Sequence, residues 1–282
     1  MAITTTSETV ELFENISQAA VFTLSEQTVI RPLVANYDLS GTPGLTASIP
    51  VIPVVSAGAL VEGTDISTMT TFNPTGKDVT CAEIGVGVEL TDFTKESASL
   101  DVQAAVGRQI GDGIAAKVDQ DLANLFAGFS GTVGSGAAEI TASVIFQAAA
   151  TLRNNNAPGP YYCVLAPFQA MALKQQLAGT GNTNMGSLSD IGNQALRDGF
   201  IGTLAGMQIF ESSNISNDPS AGGVIGAAFS RDALAYVNKR PFRLETERNA
   251  SARSTELIGT HAFGVSELVD AYGVGIIGDN QV

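Results

Sequence analysis

One histidine and two cysteines are the chain's entire supply of imidazole and thiol. His261 lies in the strand-like run Thr260-His261-Ala262-Phe263, where a lone imidazole reads as a packed or surface residue rather than a general base. A Ser–His pair would have to use it, and no Gly-x-Ser-x-Gly elbow is present. Cys81 and Cys163 are distant and flanked by strand formers. They read as buried thiols in a reducing compartment, and with one His they make no zinc site. Gly85-x-Gly87 runs on into Val88 and Glu89 in a strand pattern, whereas a dinucleotide loop must open a helix. Asp119-x-Asp121 falls inside a helical pattern, where the two carboxylates diverge, without the further oxygens and central Gly of a calcium loop. Glu62, Asp65 and Asp78 surround a Thr-rich polar stretch. As a glycosidase pair they would lack any Trp for a sugar to stack on. The residue types therefore predict no enzyme, no cofactor and no metal.

With no chemistry to position, the elements must serve something else. Of 282 residues, 44% are hydrophobic and only 15% charged, against about 25% charged in an average soluble domain. Mean hydropathy is +0.19. Such a chain hides surface either in a bilayer or against partners. The longest uncharged stretch, Leu39 to Val61, carries Pro43, Pro50 and Pro53 with Gly41, Gly44 and Gly58, which rules out a spanning helix. The first residues show no basic and apolar segments of a secretory signal. Burial against partners remains. The formal charge of −14 argues against a general nucleic-acid-binding role. The charge is also unevenly placed. Residues 1–107 hold three basic residues (Arg31, Lys77 and Lys95) and thirteen acidic ones, while Lys239, Arg240, Arg243, Arg248 and Arg253 cluster in 239–253. A solvated face explains such a cluster; so does docking of one copy's acidic arm near another copy's basic segment.

Along the chain, Ser7 caps a predicted helix over 8–20, and 21–45 is expected to be extended and irregular unless it lies on something. Residues 46–56 favour a strand, but Pro50 and Pro53 confine it to an edge or an arm. Residues 62–77 form the polar tip. The returning run alternates as Val79, Cys81, Glu83, then as Ile84, Val86, Val88, Leu90, a slip that predicts a β-bulge near Glu83. A single long helix is expected from a cap at Asp92 or Thr94 to Ala127, with Gly128 as its stop. Its apolar residues, Val102, Val106, Ile110, Ile114, Val118, Leu122 and Phe126, recur every four residues rather than in a heptad. Each step then turns by about 40°, so different parts of the helix face different neighbours. Gly107, Gly111 and Gly113 are expected to admit close approach by another element. Residues 129–240 predict an α/β unit: a helix to Leu152, a strand Tyr161–Leu165, a helix from Pro167 to Leu177, a helix Leu188–Arg197, and strands Met207–Glu211 and Val224–Phe229. The end, Phe242–Ile277, predicts a long hairpin that turns at Arg248–Ser254 and lies along the long helix.

The order of parts, with several local matches, resembles the major capsid proteins of tailed bacteriophages (Caudoviricetes), the Hong Kong 97-type fold. The matches are Val61-Glu62-Gly63-Thr64-Asp65-Ile66 entering the tip and Val86 to Phe93 leaving it. Asp119-Gln120-Asp121 with Phe126-Ala127-Gly128, and Phe200 to Ile209, are similar too. The resemblance covers nearly the whole chain. It implies an α+β fold with an N-terminal arm (1–45), an extended β-hairpin loop (46–92), a peripheral-domain spine helix (93–128), an axial domain (129–240) and a peripheral-domain β-hairpin (241–282). It further implies hexamers and pentamers that self-assemble in the host cytoplasm into an icosahedral shell. That shell is the capsid of the virion, a structural assembly enclosing double-stranded DNA without specific binding or a membrane.

Implied partners are other copies of the chain, a portal, and a scaffolding or cement protein encoded separately, since about 45 residues precede the arm. Expected intersubunit contacts are Glu62, Asp65, Lys77, Asp78, Arg240, Arg243, Arg248 and Arg253. Some relatives join an arm Lys to an Asn of a neighbour. Lys77 is the arm's one lysine and Asn249 the candidate partner, although a solvated Lys77 is the simpler expectation. Two other readings stand beside this one: an encapsulin-type nanocompartment shell, which shares the fold, and a secreted adhesin or surface-layer protein.

Overall fold

A stripe of one apolar residue every fourth position organises the molecule. The computed structural model describes residues 28–52, 59, 62–63, 74–97, 102–177, 202–215, 217–218 and 223–279, so the long helix expected from 92 onward is described in two stretches. Helix α1 (Asp92–Ser97) precedes α2 (Val102–Asn124), which tightens into a 3-10 turn at Leu125–Gly128. The helix start is capped by neither predicted residue but by Thr91, whose hydroxyl accepts the amide of Thr94 at 3.3 Å. Val106, Ile110, Ile114, Val118, Leu122 and Phe126 are all buried. Four steps of about 40° separate Ile110 from Phe126, so the two face different sheets.

Ile110 faces a four-stranded sheet made of β1 (Ala35–Asp38), β4 (Ala82–Thr91), β11 (Leu234–Asn249) and β12 (Ser254–Glu267) in the order β1-β11-β12-β4. Close approach is possible because position 259 is glycine. A methyl group there would lie 2.5 Å from Ile110 Cγ2 and 3.0 Å from Phe242 Cε2. Of the helix glycines, Gly107 and Gly111 are buried, and Gly113 lies against the sheet, where a methyl group would meet Val86 Cγ2 at 3.5 Å.

Phe126 faces the second sheet. This comprises β5 (Thr132–Gly134), β6 (Tyr161–Leu165), β7 (Thr203–Leu204), β8 (Met207–Glu211), β10 (Gly223–Ser230) and β13 (Gly273–Gly278) in the order β5-β13-β10-β6-β8-β7, with β9 (Asn217–Asp218) paired to β10. Helices α3 (Ala142–Asn154) and α4 (Pro167–Leu177) cover it. The strands at 161–165 and 207–211 and the helix at 167–177 fall where the sequence places them.

Three expectations are corrected. The returning run does not bulge at Glu83; it breaks at Cys81 and changes sheets. Among the described residues, strand β3 (Thr75–Thr80) pairs only with β2 (Thr46–Val51), and β4 pairs with β12. Val79 and Cys81 pack with Ile49, Ala235 and Val237, whereas Ile84, Val86 and Val88 pack against the core under the helix. The slip in alternation therefore marks a change of neighbours. The register irregularity falls instead in β11, between Asn238 and Arg243, around Pro241, which has no amide to give a ladder. The segment 21–45 is not irregular throughout: β1 runs parallel to β11. Finally, 256–277 is not one returning strand. Its end, β13, leaves the hairpin and pairs with β10 and β5. The helices predicted over 8–20 and 188–197 lie outside the described residues.

Candidate assembly surface

The arm emerges as a two-stranded ribbon, in register from Thr46↔Thr80 to Val51↔Thr75. Two isolated strands are marginal in water unless a face is covered. Here the cover is small: only Ile49 and Val79 are buried, against Ala235 and Val237 of β11. Pro50 sits on this ribbon, and Pro53 follows it. Lys77 and Asp78 are exposed, as is Glu62 nearer the tip, while Asp65 lies outside the described residues. The arm root stays near its own sheet. Burial and the charge of Asp270 push the Glu267 carboxyl above its ordinary range, and Lys77 acts against that rise.

The basic segment is engaged inside the chain. Arg240 pairs with Glu83. Arg243 pairs with Glu245 at 3.4 Å, and Arg248 grips Asp92 through both terminal guanidinium nitrogens, at 2.9 and 2.6 Å. These are surface pairs of modest worth, and Arg248 has the best geometry. Lys239 donates to the carbonyls of Leu39 and Thr42, pinning the loop that leads into the arm. Among the described residues, Arg253 alone of the four arginines in the segment makes no ion pair. It occupies the left-handed region at φ +53°, and its carbonyl accepts the amide of Asp92 at 3.0 Å. Asn249, the candidate crosslink residue, is used by its own hairpin turn. Its Oδ1 accepts from Ser251 and Ala252, and its Nδ2 donates to Glu256. Phe93, which sequence reasoning missed, is 79% exposed. It lines a hollow of about 440 Å³ with Glu96, Ala252 and Arg253.

Asp119 was also missed. It is fully buried on α2 and accepts the amides of Val29 at 2.7 Å and Ile30 at 3.2 Å. Burial raises its pKa; hydrogen bonds from Val29, Ile30 and Arg31 oppose the rise. A raised carboxyl favours the folded form most fully below its ordinary value of 3.8. That extra stability fades as pH climbs through the folded value. At neutral pH the amides offset much of the burial cost. Asp119→Ala should strip both amides of their partner and destabilise the docking of 28–34 by about 2 kcal/mol. Hydrogen exchange of those amides would read this.

Of the packed and surface positions its context allows, His261 takes the packed one: it is 2% exposed, its Nε2 2.8 Å from the hydroxyl of Tyr236. Among the described residues no group of three metal-binding side chains converges and no helix is long and apolar enough to cross a membrane.

A two-sheet subunit with a spine helix shared between the sheets and a projecting ribbon defines a Hong Kong 97-type shell protein. The sequence profile of the family described as phage capsid protein matches residues 77–276, and the chain belongs to that family. The major capsid protein of Staphylococcus phage phiMR11 is 29% identical over 221 residues, 78% of this chain and 75% of that one. Among solved structures, the capsid of cyanophage P-SCSP1u superposes with a TM-score of 0.71 at 20% identity, covering 90% of this chain and 89% of that one. Mycobacterium phage Che8 gives 0.71 at 21%, covering 88% and 90%. A virus-like particle from Pyrococcus furiosus gives 0.63 at 10%, covering 94% and 98%. These likenesses show the fold. With the family match, they make this a major capsid protein, a structural subunit of a phage head located in the virion capsid, rather than a nanocompartment shell or an adhesin.

Proposed function

We propose that the chain assembles in the host cytoplasm as hexamers and pentamers that tile an icosahedral head around double-stranded DNA. Its role is structural, not catalytic. One observation carries this reading: the ribbon fully buries one side chain per strand on its own molecule, half-buries Ala47 and Val51, and leaves its other residues exposed. An exposed ribbon in a stable protein implies an outside surface to cover it, and in a one-component shell that surface is a neighbouring copy. We assign the ribbon to the extended loop and the four-stranded sheet with α2 to the peripheral domain. The seven-stranded sheet, including 273–278, goes to the axial domain. Glu62, Asp65, Lys77 and Asp78 of the arm are proposed intersubunit contacts. In the basic segment Arg253, with Phe93 beside it, is favoured over Arg240, Arg243 and Arg248, which already have partners in their own chain. The net charge of −14 suits a wall from which DNA must later leave. A portal and a separate scaffolding or cement protein complete the proposed partners.

Negative-stain microscopy and size exclusion of the expressed protein test this. Closed megadalton shells are expected; a lone monomer at every salt and pH tried would overturn it.

A further inference from the structure

Residues Thr28–Asp38 form a strap across the edge of the four-stranded sheet. Ile30 and Val34 are fully buried. Three devices hold the strap: the Asp119 carboxylate under the Val29 and Ile30 amides, the parallel pairing of β1 with β11, and the Arg31 guanidinium 4.7 Å over the ring of Tyr236. Under that last contact lies a stack. Tyr236 and Phe263 stand 5.6 Å apart, Phe263 and His261 5.5 Å, and the Tyr236 hydroxyl meets His261 Nε2. The chain's one imidazole is thus buried in direct contact with the tyrosine on which the strap's own cation rests.

We propose that this strap is an acid-released latch: proton uptake by His261 sets a second positive charge beneath Arg31 and undocks residues 28–38 from the sheet. The inference rests on these contacts and not on the shell assignment. The groups facing His261 are few. The strap presents Arg31, and β11 presents Tyr236 and the backbone of Arg240. Cys81, a thiol pushed up by burial, lies near enough to Tyr236 to act on its charge. On β4, Ile84 stands opposite His261, while Glu83 pairs with Ala262 on the other face, where it holds Arg240. Helix α2 contributes Asp119, whose charge is taken up by strap amides. Among the described residues, no carboxylate close to the imidazole offsets a second cation.

Burial first, and Arg31 second, hold His261 down to about 4 from 6.5. A depressed group contributes stability that is full above 6.5 and is lost as pH falls towards 4. If the undocked form titrates normally, linkage from these two values gives an opening equilibrium about thirtyfold larger at pH 5 than at pH 8. Asp119 works the other way, since its raised pKa favours docking in acid.

Hydrogen exchange of amides 29–38 in the purified full chain at pH 8 and pH 5, corrected for intrinsic rates, is the test. Native protein should show the rise, reduced by the opposing share of Asp119. His261→Gln keeps a hydrogen-bonding group near Tyr236 without titrating, and should lack the rise; the difference between the two isolates His261. Arg31→Gln should shrink the rise and serves if His261→Gln fails to fold. Equal strap protection at both pH values in native protein would overturn the latch. So would an equal rise in His261→Gln, an undiminished one in Arg31→Gln, or simultaneous loss of protection in β10.

Discussion

Phe126→Ala is expected to lower the free energy of unfolding by about 3–5 kcal/mol, out of a total of about 5–15 for a protein of ordinary stability. Phe126 is fully buried in the turn that ends the spine helix, with its ring centroid 5.6 Å from that of Phe229 on β10. Phe229 in turn meets Tyr162 on β6. One ring therefore ties the helix that covers the four-stranded sheet to the centre of the seven-stranded one. Little can collapse into the void. Beside it Phe129 fills a slot that exists only because position 273 is glycine: a methyl there would lie 2.0 Å from Phe129 Cε1. Backbone and ring are both fixed, so the cavity should stay open and its cost near the upper end. The urea midpoint should fall with the slope unchanged. Phe126→Leu, which keeps most of the volume, should cost about 1.5 kcal/mol or less. Equal losses from the two variants would mean that ring volume at this site is not what joins the sheets.

That joint was legible in the sequence, because a stripe with a spacing of four over seven residues can only rotate across its surroundings. The strands at 161–165 and 207–211 were legible for a similar reason: each is a short apolar run between punctuating loops. What stayed hidden depends on contacts distant in sequence. Asp119 read only as one of two diverging helix carboxylates because its partners, Val29 and Ile30, lie ninety residues or so away. The Cys81 break read as a bulge because alternation records which face is buried, not against what. β13 read as part of a hairpin because an apolar strand carries no label for its sheet. The basic cluster left a solvated face and a docking face both open; the pairing of Arg240, Arg243 and Arg248 with Glu83, Glu245 and Asp92 rests on contacts between strands that the sequence does not align. Had β4 been aligned with β12 and the hairpin from sequence, the opposed charges could have shown two of those pairs.

Excising residues 52–74 and joining Val51 to Thr75 through Asn-Gly should leave the subunit folded and abolish shells. Val51 and Thr75 are register partners at the end of the described ribbon, so a two-residue turn of the primed type closes it without shifting either strand. The root contacts survive. Ile49, Val79 and Cys81 keep Ala235 and Val237, and the amide of Cys81 keeps the carbonyl of Leu45 at 2.8 Å. The urea midpoint should therefore correspond to a change within about 0.5 kcal/mol, the range of surface alterations. Assembly should respond differently. The excised tip carries Glu62 and Asp65 and no lysine or arginine, and in the proposed shell each subunit lays its tip on a neighbour. A loss of only about 1.4 kcal/mol per contact weakens each association tenfold, and a closed shell repeats that loss at every subunit. Particle yield should fall by far more than tenfold, while circular dichroism and the midpoint hold. Shells at the parental yield would mean that the ribbon's tip is dispensable for assembly, and the exposed strands would need another explanation.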